Sequence, residues 1–244
     1  MNDDARAALG RLDDVLGSTW PVLLDFDGPV THYFINGRNQ RLADQLRRVL
    51  DQHNVAVPEG VTDTYDPLTV LRWAALHTSR EIANEVDAAS VEGEYQCAQE
   101  AEPTPGAADL LTACRRVGRP VVIVSNNADG PIGAFLERYH LEHLVDAVIG
   151  RTANRPDLMK PHPHLVDQAL ELLDQPANRC VLVGDSVTDI QVANTTQVRS
   201  IGYAKTPQRG NELVAAGADA LVTQVGDLAK ALMQHAVRAT RREA

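Results

Sequence analysis

Six short apolar runs set the pattern of this chain, and most of them end in an acidic residue, an amide or a glycine. They cover residues 21–24, 121–125, 145–150, 180–185, 199–204 and 220–222. Runs of this length are typical of strands that are buried on both faces. Helical patterns are predicted around them, at residues 4–16, 107–116, 131–140, 162–173 and 188–195. This alternation predicts an α/β fold, in which a parallel sheet carries helices on both faces.

A long helical stretch interrupts the alternation after the first strand. The spacing of its apolar residues predicts three amphipathic helices and no buried strand. Asp66 and Pro67 mark the start of the second helix, as the N-cap and a first-turn residue. We therefore predict a helical cap domain at residues 31–103, inserted into an α/β core that is formed by residues 1–30 and 104–244.

The charge balance excludes several classes of partner. The chain has 244 residues, with 23 Lys and Arg against 33 Asp and Glu, which gives a formal charge of −10. Nucleic acids and anionic membranes both require a basic face, so neither is expected as a partner. In addition, no apolar run reaches the ~20 residues of a membrane span.

Cysteine usage and the N-terminal sequence indicate the cellular compartment. Three cysteines without paired spacing favour a reducing compartment, and the acidic N-terminus is unlike a secretory signal. A cytoplasmic protein is therefore predicted. A monomer or a weak dimer is expected, although no sequence pattern indicates the oligomeric state. Residues 238–244 are predicted to be a solvated, frayed end.

Acidic and polar side chains follow the predicted strands at the points where they end. They are Asp25 and Asp27 after the first strand, Ser125 after the second, and Asp185 and Asp189 after the fourth. Ligands of parallel sheets bind beyond the carboxyl ends of the strands, so these residues are expected to meet. Converging carboxylates repel one another unless a cation lies between them. A few carboxylates together with phosphate oxygens suit Mg²⁺, which we predict as the cofactor.

These residues, together with Lys160 before the helix that leads to the fourth strand, predict a phosphoryl-transfer reaction. Asp25 is the candidate nucleophile, because a carboxylate that attacks phosphorus divides one hard displacement into two steps. Asp27 is the candidate acid, which protonates the leaving oxygen and then activates water. Lys160 and the Ser125 hydroxyl are expected to hold the phosphoryl group.

Four motifs with these residues occur in a diagnostic order. They are DFDGPV, VSNN, MKPHP and GDSVTD, which begin at residues 25, 124, 159 and 184. In this order and spacing, the chain resembles the phosphatase branch of the haloacid-dehalogenase-like (HAD) hydrolase superfamily. The helical insertion resembles the C1-type cap of phosphoglycolate phosphatases and β-phosphoglucomutases. The resemblance covers residues 21–228 and implies a Rossmann-like core.

The resemblance also implies a role for each matching residue. Asp25 and Asp27 match the nucleophile and the general acid/base. The Mg²⁺ ligands are matched by Asp25, the main-chain carbonyl of Asp27, and Asp185. The phosphate-binding residues are matched by Ser125, by Asn126 through its main-chain amide, and by Lys160, while Asp189 matches a supporting acid.

These residues together predict an Mg²⁺-dependent phosphatase that hydrolyses a small phosphorylated metabolite, a phosphate monoester, through an aspartyl-phosphate. A phosphomutase of the β-phosphoglucomutase kind is the alternative, and a non-catalytic phosphate-sensing module is a weaker one. Tyr33, Arg38 and Arg72 are hypothesised to contact the leaving group, with a solvated helix face as the competing interpretation.

Overall fold

A single parallel sheet forms the centre of the molecule. The computed structural model describes residues 1–242, and its side chains through residue 235. The strands are β1 (Val22–Leu24), β2 (Val121–Val124), β3 (Ala147–Ile149), β4 (Val181–Gly184), β5 (Arg199–Tyr203) and β6 (Ala220–Val222). They lie in the order β3-β2-β1-β4-β5-β6, and every neighbouring pair is parallel. All six strands coincide with predicted apolar runs.

Twelve α-helices accompany the sheet in the described part of the chain. In chain order they are α1 (Asp3–Leu9), α2 (Leu12–Ser18), α3 (Arg38–Gln52), α4 (Glu59–Thr62), α5 (Pro67–His77), α6 (Arg80–Glu100), α7 (Ala107–Val117), α8 (Asp129–Arg138), α9 (His164–Leu173), α10 (Val187–Thr196), α11 (Pro207–Ala215) and α12 (Val225–Arg242). No helix among these residues combines the length and the apolar character that crossing a membrane requires.

Alternate strand residues face two separate hydrophobic cores. Leu24 of β1 packs in a core that includes residues of α2, α7, α8 and α12. Leu23 packs in a second core with residues of α9 and α10. Because successive strand side chains point to opposite faces, strands covered on both sides must be apolar at every position. The predicted α/β fold with helices on both faces is confirmed.

The helical insertion between β1 and β2 forms a cap with its own hydrophobic core. Leu42, Leu46 and Leu50 of α3 pack against residues of α4, α5 and α6. Asp66 caps α5 as predicted, since its Oδ1 accepts a hydrogen bond from the main-chain amide of Leu68. The insertion is therefore a packed helical unit and not a long loop.

The chain enters and leaves the cap along two adjacent segments. Thr31 and Pro103 form an isolated antiparallel bridge, and the Thr31 hydroxyl donates to the carbonyl of Glu102 at 2.7 Å. One residue further, the amide of Thr104 donates to the carbonyl of Val30 at 2.9 Å. These bonds fix the two crossings side by side, next to the end of β1.

A buried ionic cluster joins the cap helix α6 to the core. Arg151, which follows β3, pairs with Glu94 and with Asp87, and the side chains of Arg151 and Glu94 are 1% and 0% exposed. Glu94 Oε2 also accepts a hydrogen bond from the amide of Ala128 at 2.7 Å. Burial raises the pKa of Glu94, and Arg151 opposes that rise. The C-terminal half of α6 is thus attached to the loop that follows β2.

Two features differ from the sequence prediction, and a third part of that prediction stays untested. The single helix predicted at residues 4–16 is two helices, because α1 packs with α11 and β6 whereas α2 packs in the core beside α12. Helices α4, α11 and α12 were not predicted. The predicted frayed end at 238–244 lies in the stretch whose side chains fall outside the described residues.

Candidate active site

A small cavity lies at the carboxyl ends of the three central strands. Its volume is about 200 Å³, and the core side of its lining consists of Asp25, Asp27, Ser125, Asn126, Asn127, Lys160, Asp185, Ser186 and Thr188. β1 lies between β2 and β4, so the chain order reverses here, and open α/β sheets bind ligands at such a position. The convergence predicted from strand ends is therefore present in the fold.

Lys160 lies at the base of this cavity with three partners. Its Nζ donates to Asp25 Oδ1 at 2.8 Å, to Asp189 Oδ1 at 2.6 Å and to the carbonyl of Val124 at 2.8 Å. The side chain is 2% exposed. Burial alone would lower its pKa, but the two carboxylates outweigh that effect and raise the pKa of Lys160 above its ordinary value. The lysine is therefore a fixed positive charge.

One oxygen of Asp25 is held and the other is available. Oδ1 accepts hydrogen bonds from Lys160 and from the amide of Phe26, the latter at 2.8 Å. Oδ2 has no hydrogen-bond partner among the described residues. Burial, followed by the neighbouring charge of Asp189, raises the pKa of Asp25 well above its ordinary value, while Lys160 lowers it. Asp25 is thus oriented by one oxygen, with the second left for a ligand.

Asp27 is oriented by the loop that leads into the cap. Its Oδ1 accepts a hydrogen bond from the amide of Tyr33 at 2.8 Å. Burial and the charge of Asp185 raise the pKa of Asp27 to about 6. A carboxyl group with a pKa in this range can both give and take a proton near neutral pH.

Three carboxylates approach closely enough to share a cation. Asp25, Asp185 and Asp189 each have an oxygen within 4.8 Å of the others. Asp185 Oδ2 forms a 2.7 Å ion pair with Lys205, and burial raises the pKa of Asp185 while Lys205 lowers it. This donor set is the kind that Mg²⁺ prefers.

Asp189 has both of its oxygens occupied by the protein. Oδ1 pairs with Lys160, and Oδ2 accepts hydrogen bonds from the amide and the hydroxyl of Ser186 at 3.1 and 2.6 Å. The contact with Ser186 is half of a capping box that starts α10. Asp189 is therefore placed to position Lys160 and to start this helix.

Asn126 makes a contact that the sequence does not reveal. Its Oδ1 accepts a hydrogen bond from the amide of Lys160 at 2.7 Å, and its Nδ2 donates to the carbonyl of Lys160 at 3.2 Å. The Asn126 side chain thus pairs with both main-chain groups of Lys160. The motif resemblance indicated a role only for the main-chain amide of Asn126. Ser125 is buried beside it, and its hydroxyl donates to Asn127 Oδ1 at 3.1 Å.

The three candidate substrate-contact residues lie away from the lining of this cavity. Tyr33 is buried and its hydroxyl donates to the carbonyl of Glu94. Arg38 is buried and donates to the carbonyls of Tyr33 and His32 at 2.7 and 2.6 Å. Arg72 donates to the carbonyl of Lys160 at 3.2 Å and lines a neighbouring groove. Substrate contact by these residues stays a prediction.

The cap contributes other residues to the lining. They are Phe34, Asp66 and Leu68. The sequence indicated Asp66 only as the N-cap residue of α5. No local sequence pattern tells which end of a helix in the cap domain lies over the core. The sequence analysis also did not predict that Thr188 of α10 lines the cavity. Its position directly before Asp189 could have indicated this.

Residues 22–195 match the family model described as haloacid dehalogenase-like hydrolase. This chain belongs to that hydrolase family. The matched range includes β1, the whole cap, and the four segments that bring Asp25, Ser125, Lys160 and Asp185 to the cavity.

Relatives of this HAD-like hydrolase include phosphatases. A phosphoglycolate phosphatase of Caulobacter vibrioides is 29% identical over 138 residues, which are 55% of this chain and 55% of that protein. A phosphoglycolate phosphatase of Rhodospirillum rubrum is 28% identical over 203 residues, which are 76% of this chain and 81% of that protein. The alignment with the Caulobacter protein thus spans about half of that protein's length.

A solved structure shares the fold of the hydrolase. CbbY from Rhodobacter sphaeroides, in complex with phosphate, superposes with a TM-score of 0.65 and is 19% identical, covering 86% of this chain and 96% of that chain. A mutant of CbbY has been crystallised with xylulose-(1,5)bisphosphate. At this identity the likeness establishes the fold, namely a Rossmann-like core with an inserted cap.

Gly28 of the hydrolase has no room for a side chain, and we expect Gly28→Ala to impair activity. Its φ is +108°, and a Cβ built there would lie 2.4 Å from Cγ of Asp185. The loop or the Asp185 carboxylate must therefore shift by about 1 Å to restore an ordinary van der Waals contact. A misplacement of about 1 Å in an active site costs about a hundredfold in kcat/KM. Gly37→Ala is the matched control, because Gly37 also has a positive φ (+77°) but nothing lies within 4 Å of its added Cβ. Equal activity of the two variants would contradict this expectation.

Proposed function

We propose that this protein is a phosphatase that hydrolyses a small phosphate monoester through an aspartyl-phosphate on Asp25. The observation that carries the proposal is the cavity itself, in which a carboxylate with one available oxygen lies beside a fixed lysine charge and a hydroxyl. The phosphatases among the relatives of the chain support the same class of reaction.

Asp25 and Asp27 divide the reaction between them. Asp25 Oδ2 attacks the phosphorus and forms the carboxyl–phosphorus bond, while the bond from phosphorus to the ester oxygen breaks. Asp27 gives its proton to that departing oxygen, so the product leaves as an alcohol. In the second step Asp27 takes a proton from water, which attacks the phosphorus, frees Asp25 and releases inorganic phosphate. The raised pKa of Asp27, about 6, supports both of its duties.

The phosphoryl group is assigned to the side of the cavity that Ser125 and Lys160 form. The Ser125 hydroxyl and the main-chain amide of Asn126 are the proposed donors to its oxygens. Lys160 offsets charge that develops there, and Asp189 holds Lys160 in place at 2.6 Å. Asn126 fixes the Lys160 segment against the loop after β2 through its two side-chain hydrogen bonds.

The residues present fit a magnesium ion. Asp25, Asp185 and Asp189 each have a carboxylate oxygen within 4.8 Å of the others. Asp185 Oδ1 lacks a hydrogen-bond partner among the described residues, whereas both oxygens of Asp189 are occupied. We therefore propose Asp25 and Asp185 as the carboxylate ligands, with the main-chain carbonyl of Asp27 as a third, and Asp189 in a supporting position. When bound, Mg²⁺ neutralises negative charge on the phosphoryl oxygens.

The cap is proposed to cover the substrate. We assign it residues 31–103, because the adjacent crossings at Thr31 and Pro103 mark a compact point of entry and return. The cavity below it holds about 200 Å³, which suits a metabolite of a few carbon atoms. A cytoplasmic location and a monomeric or weakly dimeric state stay predictions.

A panel of small phosphate monoesters tests the proposed function. With Mg²⁺, we expect the protein to release inorganic phosphate from at least one ester, and excess EDTA to abolish the release until Mg²⁺ is restored. Phosphate assay and chromatography of the organic product are the two measurements. An isomerised sugar phosphate in place of free phosphate would favour a mutase, and release that EDTA leaves unchanged would contradict the metal assignment.

A further inference from the structure

Among the residues that the structure describes, none of those lining the cap-facing side of the cavity is a cation that could pair with an anionic leaving group. Phe34, Asp66 and Leu68 are the cap residues that line it. Lys160 is the one basic residue in the lining among the described residues, and its ammonium group already has three partners at 2.8 Å or less. A carboxylate or a second phosphate on the substrate would therefore meet an apolar ring, an apolar side chain and an acid.

Two basic residues lie close by, but both are engaged elsewhere. Arg72 of α5 donates to the carbonyl of Lys160 and lines the neighbouring groove. Lys205 forms its 2.7 Å ion pair with Asp185. Neither contributes to the lining of the cavity.

Asp66 is held in a fixed orientation at the start of α5. Its Oδ1 accepts a hydrogen bond from the amide of Leu68 at 3.0 Å, and its Oδ2 accepts one from the hydroxyl of Thr69 at 2.7 Å. Each carboxylate oxygen has a second acceptor site, so Asp66 can still accept a hydrogen bond from a substrate hydroxyl. Its negative charge would repel an anionic group at the same position.

We propose that the substrate is the phosphate monoester of an uncharged, hydroxyl-bearing leaving group, and that Asp66 discriminates against leaving groups with a negative charge. This inference rests on the proposed phosphatase function and adds the substrate class to it. The preference differs from what the names of two relatives indicate, since phosphoglycolate carries a carboxylate on its leaving group. Specificity of this kind depends on repulsion of the wrong ligand as much as on contacts with the right one.

Two esters that differ in one group test the inference. 2-Hydroxyethyl phosphate and 2-phosphoglycolate have the same length, and a CH₂OH group in the first replaces a carboxylate in the second. We expect kcat/KM of the wild type to favour the hydroxyethyl ester by about tenfold or more. Asp66→Asn keeps a helix-capping side chain but removes its charge, and it should reduce that ratio about five- to tenfold.

Asp63→Asn is the matched control. Asp63 is an exposed residue that follows α4, so its replacement removes one negative charge from the cap without changing the lining. The ratio should stay at the wild-type value in this variant. A wild-type preference for phosphoglycolate, or an equal change in the two variants, would overturn the inference.

Direct binding separates this inference from the proposed function. Calorimetric titration of Asp25→Asn with each ester, in the presence of Mg²⁺, measures the preference without turnover. Tighter binding of the hydroxyethyl ester supports the inference even if the wild type releases no phosphate, in which case only the proposed function fails. Tighter binding of phosphoglycolate overturns the inference and leaves phosphatase activity on other esters intact.

Discussion

Asp25→Asn is expected to abolish phosphate release from every ester that the wild type hydrolyses. The amide has nearly the size and shape of the carboxylate, but its oxygen cannot form the acyl phosphate. We expect kcat to fall by at least about a thousandfold, because loss of a nucleophile removes the covalent route altogether. Inorganic phosphate assay under saturating substrate measures this loss.

Folding and general charge effects are controlled separately. Lys160 retains Asp189 as a partner in the variant, so its ammonium group stays paired. Thermal unfolding should therefore show a folded protein. Asp129→Asn removes an exposed acid just after the loop that follows β2, and it should keep wild-type activity. Turnover by Asp25→Asn close to the wild-type rate would exclude Asp25 as the nucleophile.

Arg151→Met is expected to destabilise the protein by about 3–5 kcal/mol in its free energy of unfolding. The substitution leaves Glu94 and Asp87 buried without the cation that both of them contact. Each of these carboxylates then stays desolvated without a paired cation. The cost of an unpaired buried charge exceeds the stabilisation that the intact ion pair contributes. Urea unfolding followed by circular dichroism measures the change, and Glu94→Gln in the same chain should restore part of it.

The matched control is Arg155→Met, four residues further along the same segment. Arg155 pairs with Asp157 on the surface, so its loss should leave the unfolding free energy unchanged within error. A cost for Arg155→Met equal to that for Arg151→Met would contradict the assignment of the effect to burial.

The cost of Arg151→Met should also depend on pH. Burial already raises the pKa of Glu94, and Arg151 holds that rise in check. Without the arginine the pKa rises further, so the folded state binds a proton more strongly than the unfolded state does. Stability then falls as pH increases from the ordinary glutamate pKa through the raised one. The variant should be less destabilised at the acidic end of this window than at the alkaline end.

The sheet could be predicted from sequence because its central strands β1, β2 and β4 contain no polar side chain on either face. Leu23 and Leu24 pack into different cores, so both positions had to be apolar and the run was visible without any structural information. The break between α1 and α2 could not be predicted in the same way. The apolar spacing continues through Gly10 and Arg11, and the break reflects packing against elements that lie about 200 residues later in the chain.

The residues brought to the candidate site were predictable in part. Asp25, Ser125 and Asp185 follow strands, and parallel strands end at one edge, so their convergence follows from topology. The side-chain contacts of Asn126 and the burial of Glu94 do not follow from it. Glu94 lies on a helix whose local pattern suits a solvated face, and its burial is stabilised by Arg151 and by the amide of Ala128, both of which lie far from it in the sequence.

The central position of β1 has a consequence for how the chain folds. Val22 pairs with Val121 of β2 and with Val181 of β4, whereas the cap helices contact one another within residues 38–100. Pairing between distant segments requires closure of long loops, which makes it slow. During synthesis we therefore expect the cap helices to pack first, and the nucleophile strand to be fixed only after β4 has left the ribosome. A nascent chain that stops before β4 would hold packed cap helices and no functional centre.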